Sequence, residues 1–152
     1  MSWGDMLLAV LVLAVGVFLA RRSRPFVAAV LFVSAITVSA MLFLPGSQLT
    51  AILGNDGVRL LNRFAAATPW SVSEWMHVFI FLWLGLLLWL GRADLRGWKA
   101  WSLVVALAVA SELAQGLTPG REPKMDDVFL NLAGGMAGIL LAIATRRLLK
   151  RL

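Results

Sequence analysis

Five long apolar runs, separated by short polar segments, dominate the pattern along the chain. They are residues 6–20, 25–44, 74–90, 100–117 and 128–145. Since a helix needs about 20 mostly apolar residues to cross the hydrocarbon core of a bilayer, each run predicts a transmembrane helix. The pattern therefore predicts an all-α fold, a multi-pass membrane bundle that forms one transmembrane domain over residues 1–152.

The first run differs from a cleaved signal peptide. Its N-terminal flank carries Asp5, and the basic residues Arg21, Arg22 and Arg24 follow the run. A signal peptide has the opposite order, with the positive charges before the apolar segment. The run therefore predicts an uncleaved helix whose N-terminus lies outside the cell.

The segment between the second and third runs is too polar to cross a membrane. Within it, Val58, Leu61, Phe64 and Ala65 recur at helical spacing. This spacing predicts a short amphipathic helix over residues 57–66. Such a helix either lies on the membrane surface or packs on the bundle as an ordinary loop helix.

Composition agrees with a membrane protein. Hydrophobic residues make up 61% of the chain and charged residues 14%, against roughly 45–50% and about 25% in soluble domains. A small domain has too high a surface-to-volume ratio to bury that much apolar surface in its own core. The chain has no cysteine and one histidine, which excludes disulfides, thiolate metal sites and any site that needs two histidines.

The basic residues predict the orientation of the bundle. The net charge of +6 would suggest nucleic acid in a soluble protein, but here the basic residues flank apolar runs. Ten of the fourteen fall in segments 21–24, 91–99 and 146–152. Because an excess of Lys and Arg in short segments marks the cytoplasmic side, we expect a cytoplasmic C-terminus and no nucleic-acid partner.

Polar side chains in or beside the last three runs are candidate functional residues, since an ionisable group is costly inside a membrane. His77 can act as acid, base or nucleophile near neutral pH, or it is an interfacial residue that bonds a backbone carbonyl. Glu112 and Gln115 lie three residues apart and share a helix face. They form either part of a site or a polar clasp between helices.

The fifth run carries polar and small residues on one stripe. At about 100° per residue, Asp127 and Asn131 share a helix face with Gly134 and Gly138. Because small residues allow a second helix to approach closely, the stripe predicts that both polar side chains face a neighbouring helix. Asp126, by contrast, is interpreted as a solvated loop charge, as is Lys124.

The loop before the fifth run carries Arg121 between two prolines. A guanidinium group suits phosphate or carboxylate through its planar fork. Arg121 is therefore a candidate ligand for a substrate phosphate, or it forms a salt bridge with Glu112 or Asp127.

In the predicted topology, the candidate residues all fall at the outer ends of the last three spans, although they were selected by polarity alone. We therefore expect one polar cavity, open to the outer leaflet, and name its residues as His77, Glu112, Arg121, Asp127 and Asn131. Oxygen atoms are the ligands that hard divalent cations prefer. Glu112, Asp127 and Asn131 could thus hold such a cation as a cofactor.

Four motifs in these runs resemble the VanZ-like family over residues 74–142. They are His77-Val-Phe-Ile-Phe81, Ser111-Glu-Leu-Ala-Gln115, Pro119-Gly-Arg121 and Asp127-Val-Phe-Leu-Asn131-Leu-Ala-Gly134. Many members have an Asp-Lys pair before the histidine, where this chain has Ser73-Glu74, so a role for that pair does not carry over. The first two runs match no motif of the family.

The resemblance implies a multi-pass protein of the bacterial cytoplasmic (inner) membrane that is linked to the cell envelope. The family takes its name from resistance to the glycopeptide antibiotic teicoplanin. By resemblance, the motif residues of the site would be His77, Glu112, Gln115, Arg121, Asp127 and Asn131. The resemblance also implies a membrane lipid or a lipid-linked precursor as the partner.

Three functions fit these features. The first is an enzyme at the outer leaflet, a phosphotransferase or hydrolase for lipid head groups, with catalytic residues His77, Glu112 and Asp127 and substrate-binding residues Arg121, Gln115 and Asn131. The second is a non-catalytic lipid-binding, transport or accessory protein of the envelope or antibiotic response. The third is a structural bundle with polar clasps. The sequence lacks the Gly-x-Ser-Gly, Glu-Glu and His-Glu-x-x-His motifs of other intramembrane and zinc proteases.

Overall fold

The computed structural model describes residues 3–23, 25–43, 46–116 and 123–149, with the backbone alone for residues 4–5, 8–9, 35–43 and 46–53. These residues form six α-helices, and no strand occurs among them. The helices are α1 (Trp3–Ala20), α2 (Pro25–Phe43), α3 (Gly46–Ala66), α4 (Val72–Gly91), α5 (Trp98–Gln115) and α6 (Met125–Leu149). The all-α prediction is therefore confirmed, and each predicted apolar run corresponds to one helix.

Among the described residues, two of the helices at predicted spans, α4 and α6, are long and apolar enough to cross a membrane. The other described apolar stretches of helix, Val10–Ala20 and Pro25–Ser34, are shorter. The count of five spans and the placement of the termini remain predictions.

The segment before α4 is more helical than the sequence pattern predicts. Residues 57–66 are helical as expected, but α3 begins at Gly46 and bends at Gly54, whose φ of 70° is a left-handed conformation. Phe64 of α3 packs against Trp75 of α4 with ring centroids 4.9 Å apart. This contact attaches α3 to the bundle, while its predicted position on a membrane surface remains untested.

A capping box starts α4 at a defined residue. The Ser71 hydroxyl accepts a hydrogen bond from the backbone N–H of Glu74 at 3.3 Å, and the Glu74 carboxylate accepts one from the Ser71 N–H at 2.6 Å. This reciprocal pair satisfies two N–H groups at the helix terminus. Glu74 therefore has a structural role at the start of α4.

Helices α4 and α6 lie side by side and run in the same direction, with glycines at their contact. A Cβ atom built on Gly134 would collide with the carbonyl oxygen of Val78, and one on Gly138 with that of Leu82. The two backbones are thus in direct contact, which confirms that the glycine stripe faces another helix. The stripe also turns Asp127 and Asn131 toward α4.

The helix directions divide the bundle into two ends. At the first, called the polar end, the N-termini of α4 and α6 meet the C-terminus of α5. At the second, called the basic end, the C-termini of α1, α4 and α6 meet the N-termini of α2 and α5. Contacts between Gly91 and Val27, and between Arg92 and Phe18, join α1 and α2 to α4 at the basic end.

Arg92 at the basic end is buried, with 2% of its surface exposed. Its guanidinium donates two hydrogen bonds to Asp94, at 2.8 and 2.7 Å, and two to the carbonyls of Phe18 and Leu19, at 2.9 and 3.2 Å. A positive charge at these last carbonyls of α1 is favourable because the C-terminus of a helix is electronegative. The sequence pattern indicates only a topology signal at Arg92. In the structure its buried side chain joins the C-terminus of α1 to the end of α4 through hydrogen bonds.

Candidate functional site

His77 faces α6 at the polar end of the bundle. Its Nδ1 atom lies 3.1 Å from Oδ1 of Asn131, and its Nε2 atom lies 3.9 Å from Oδ2 of Asp127. Asn131 is fully buried, and the side chains of His77 and Asp127 are 14% and 18% exposed. The two α6 residues are one turn apart, so one imidazole ring reaches both.

Ser111 of α5 extends this contact into a chain of hydrogen bonds. Its hydroxyl donates to the backbone carbonyl of Ala108 at 3.0 Å. The Asn131 amide nitrogen then donates to the Ser111 oxygen at 3.3 Å. A hydroxyl has one proton to donate, and here the Ala108 carbonyl receives it. Ser111 can therefore only accept from Asn131.

The direction of the chain favours a proton on one ring nitrogen of His77. Because the Asn131 amide nitrogen faces Ser111, its carbonyl oxygen faces His77 and needs a donor. Nδ1–H is that donor, and in a neutral imidazole the other nitrogen is then an unprotonated acceptor. With the proton on Nδ1, Nε2 is the ring nitrogen that lies beside Asp127.

Asp127 is close enough to act on His77 by charge but too far for a hydrogen bond. A separation of 3.9 Å exceeds the usual range of up to about 3.2 Å. Nε2 therefore has no hydrogen bond to Asp127.

Glu112 lies next to Ser111 on α5 and is buried, with 4% exposed. One carboxylate oxygen, Oε1, accepts a hydrogen bond from the backbone N–H of Lys124 at 2.6 Å. Lys124 immediately precedes α6, where the exposed N–H groups of a helix attract negative charge. The other oxygen, Oε2, has no hydrogen-bond partner within the described part of the chain. A buried polar atom without a partner is costly, so Oε2 is an acceptor whose partner is not among the described residues.

Pro123, just before α6, lies against Gly116 at the end of α5. A Cβ atom on Gly116 would collide with the ring of Pro123, so the close approach depends on glycine. Helices joined by a short connection are usually neighbours, and α5 and α6 are in contact here. This packing brings the start of α6 within reach of Glu112.

The structure assembles part of the predicted site. It brings His77, Asp127 and Asn131 into direct contact and places Glu112 beside Ser111, which bonds to Asn131. Gln115 is half-buried about one turn further on, and no described contact joins it to the cluster. Arg121 lies outside the described residues, so its predicted contacts are not seen. The functional roles of all six residues remain predictions.

Two further expectations can be compared with the structure. Asp126 and the Lys124 side chain are exposed, which agrees with solvated charges. The Lys124 backbone N–H nevertheless donates a hydrogen bond to Glu112. Among the described residues, no group of three or more His, Cys, Asp and Glu side chains is arranged to hold a metal ion. A cation on Glu112, Asp127 and Asn131 therefore remains a prediction, and no step below depends on it.

Ser111 is the residue that the sequence predictions missed. It lies within the Ser111–Gln115 motif, but single hydroxyls are common in membrane helices and usually bond to their own backbone. Its bond to Ala108 is of that ordinary kind. Only the rotation of α5 toward α6 shows that the same oxygen also orients Asn131.

Comparison with known proteins gives one family. The model of the VanZ/LLP1 family matches residues 6–149, nearly the whole chain. The match is wider than residues 74–142, where the motifs lie, and it takes in the first helices as well. No curated protein and no solved structure matches the chain.

Proposed function

The chain belongs to the VanZ/LLP1 family, and we propose that it is a membrane enzyme of the bacterial inner membrane that acts on lipid head groups. Its substrate would be a phospholipid or a lipid-linked envelope precursor in the outer leaflet, reached from the polar end of the bundle. The observation that carries this proposal is the hydrogen-bond chain from Ser111 through Asn131 to Nδ1 of His77, in which an Nδ1–H donor would leave Nε2 unprotonated beside Asp127.

The chemistry would be proton transfer coupled to transfer of a phosphoryl or phosphodiester group. Nε2 of His77 accepts the proton of an attacking hydroxyl group as its oxygen forms the new bond to phosphorus. The bond from phosphorus to the leaving oxygen breaks, and the imidazolium returns the proton to that oxygen. Asp127 stabilises the imidazolium by charge, and Asn131 holds the ring through Nδ1–H.

The charges of the described site favour particular parts of a substrate. Glu112 and Asp127 are acidic, and the side chains of His77, Ser111 and Asn131 contribute no permanent positive charge. The positive charge of Lys124, whose backbone bonds Glu112, is on an exposed side chain. The free oxygen of Glu112 therefore suits a hydroxyl or ammonium group of the substrate. A phosphate needs a cation, and Arg121 in the loop to α6 is the residue we propose for it.

The test is turnover by the full-length protein in lipid nanodiscs. Release or exchange of head groups from a panel of phospholipids and lipid-linked precursors should depend on His77, and His77→Ala should lower the rate at least 100-fold, as expected for loss of a general base. Thr145→Ala serves as the matched control, because Thr145 bonds only its own helix at 2.9 Å and is far along α6 from the site.

The same geometry supports a second function, binding of a lipid without turnover, as in a transport or accessory protein. The observation that favours it is Oε2 of Glu112, which offers a buried acceptor whether or not a reaction follows. This function predicts saturable lipid binding that Glu112→Gln weakens and no head-group release by the wild type. Binding that none of the site variants changes would instead support the structural-clasp interpretation.

A further inference from the structure

A pocket lies at the basic end, between the C-termini of α4 and α6. Its volume is about 250 Å³, and its lining residues are Trp89, Ile143, Arg146 and Arg147. The two arginines lie one after the other on α6, and Trp89 and Ile143 form an apolar wall on the bundle side. The pocket is thus apolar on one side and positively charged on the other.

Arg96 adds a third guanidinium near this pocket. It donates hydrogen bonds to the carbonyls of Trp89 at 2.9 Å and Leu90 at 3.3 Å, which holds it against the end of α4. Burial lowers the pKa of Arg96, and the positive charge of Arg146 lowers it further. Arg96 and Arg146 are therefore near enough to repel each other.

No carboxylate compensates these charges within the described residues. The ion pairs found there are Arg59–Asp56, His77–Asp127 and Arg92–Asp94, and none includes Arg96, Arg146 or Arg147. Like charges held together raise the energy of the folded state. An anion bound between them would relieve that repulsion, and arginine forks fit phosphate oxygens in particular.

We infer that this pocket binds the phosphate of an anionic phospholipid at the basic end of the bundle. A lipid is favoured over a soluble anion because Trp89 and Ile143 give the pocket an apolar wall, and Leu140, about one turn before Ile143 on α6, is 56% exposed. Trp89 lies at the end of its apolar run, as interfacial tryptophans do. Basic pockets between transmembrane helices are a known place for anionic head groups.

This lipid site is separate from the proposed enzymatic site. It lies at the opposite end of α4 and α6 and shares with the proposed function only the placement of the helices in a membrane. The lipid bound there would stabilise the protein without being converted. The two proposals can therefore fail independently.

The experiment compares phosphatidylglycerol with phosphatidylcholine on the full-length protein in detergent micelles. A ligand that binds only the folded state raises the unfolding temperature, and we expect phosphatidylglycerol to raise it by about 5 °C over phosphatidylcholine. The double variant Arg146→Gln/Arg147→Gln should lose most of this difference. Arg21→Gln/Arg22→Gln removes the same charge from exposed residues at the same end and should keep it.

Native mass spectrometry of the wild type gives a second readout that does not depend on the variants folding. It should show retained phosphatidylglycerol in preference to phosphatidylcholine. An equal loss of the stabilisation in both double variants would overturn the inference, since it would indicate diffuse attraction. Equal retention of the two lipids would also overturn it, as would full stabilisation by 10 mM inorganic phosphate, which would indicate a soluble anion.

One more variant separates the two sites. Glu112→Gln at the polar end should leave the phosphatidylglycerol effect unchanged. If Glu112→Gln abolished the effect while Arg146→Gln/Arg147→Gln preserved it, the anionic lipid would bind at the polar end. That result would overturn the inference and leave the proposed function intact.

Discussion

Nδ1 of His77 and Oδ1 of Asn131 are 3.1 Å apart, although the residues are 54 positions apart in sequence. The contact depends on the close approach of α4 and α6, which the glycines of α6 permit. It also depends on the Ser111 hydroxyl, which turns the Asn131 amide so that its oxygen faces the ring. Helix packing and proton position are therefore linked in one small cluster.

Ser111→Ala should impair function through the orientation of Asn131. Without the Ser111 oxygen, the Asn131 amide can turn over and present its nitrogen to His77, which then favours the proton on Nε2 instead of Nδ1. We expect a loss of about 10- to 100-fold in head-group turnover, comparable to partial loss of general-base catalysis. Turnover at saturating substrate in nanodiscs measures this.

The matched control for this variant is Ser102→Ala, at an exposed position on the same helix. It should leave turnover and the unfolding temperature unchanged. Equal losses in the two variants would mean that a general effect on α5, and not the orientation of Asn131, explains the result.

Gly134→Leu should destabilise the contact between α4 and α6. Even a Cβ atom at this position collides with the backbone of Val78, and backbone cannot move aside as a flexible side chain can. Overpacking typically costs about 1–3 kcal/mol, and here it should also separate His77 from Asn131. Ala137→Leu, at an exposed position on the same helix, should have little effect on the unfolding temperature. Similar unfolding temperatures for the two variants would contradict the close helix contact.

The Arg92–Asp94 pair should make stability depend on acid pH. The guanidinium of Arg92 lowers the pKa of Asp94 from 3.8 to about 2. Because the folded state has the lower pKa, the stabilisation is fully present above the unfolded pKa of 3.8 and is lost as pH falls through about 2. The difference in unfolding temperature between the wild type and Asp94→Asn should therefore be constant above about pH 5 and should shrink toward pH 2.

Asp56→Asn is the control for this pH effect, since Asp56 pairs with Arg59 at 3.8 Å in a fully exposed position. Exposed pairs contribute little to stability, so this variant should follow the wild type at every pH. A pH-independent difference between the wild type and Asp94→Asn would show that the charge of Asp94 is not the source of its effect.

Cysteine labelling tests which end of the bundle faces outward. The chain has no cysteine of its own, so any labelling of a single-cysteine variant comes from the introduced thiol. In intact cells, Lys124→Cys should react with an impermeant thiol reagent, whereas Ser23→Cys and Ala93→Cys should react only after the membrane is opened. The reverse pattern would place the His77 cluster on the cytoplasmic side and would remove the outer-leaflet substrate.

The sequence predicts much of this arrangement because membrane helices obey strong local rules. Apolar runs indicate the helices, and the stripe of Gly134, Gly138 and Asn131 indicates the face of α6 that meets a neighbour. These local rules do not predict the burial of Arg92. A basic residue beside an apolar run is typical of a topology signal, and its burial against α1 depends on tertiary contacts between residues more than 70 positions apart.

The sequence pattern also does not predict the bend in α3. Its first part is too short and too polar to show a clear periodicity, and Gly54 is compatible with a turn as well as with a bent helix. The role of Ser111 depends on how far α5 is rotated about its axis. Hydrophobic periodicity defines the apolar face of a helix only broadly, which is insufficient to place one hydroxyl.

The proton on the His77 ring is the most direct test of the proposed site. The chain has a single histidine, so the 15N spectrum of the imidazole needs no further assignment. In the neutral ring, the wild type should carry its proton on Nδ1 and leave Nε2 free, and Ser111→Ala should shift the population toward a proton on Nε2. A wild-type spectrum with the proton on Nε2, unchanged in Ser111→Ala, would contradict the directed hydrogen-bond chain and the role of His77 as a base.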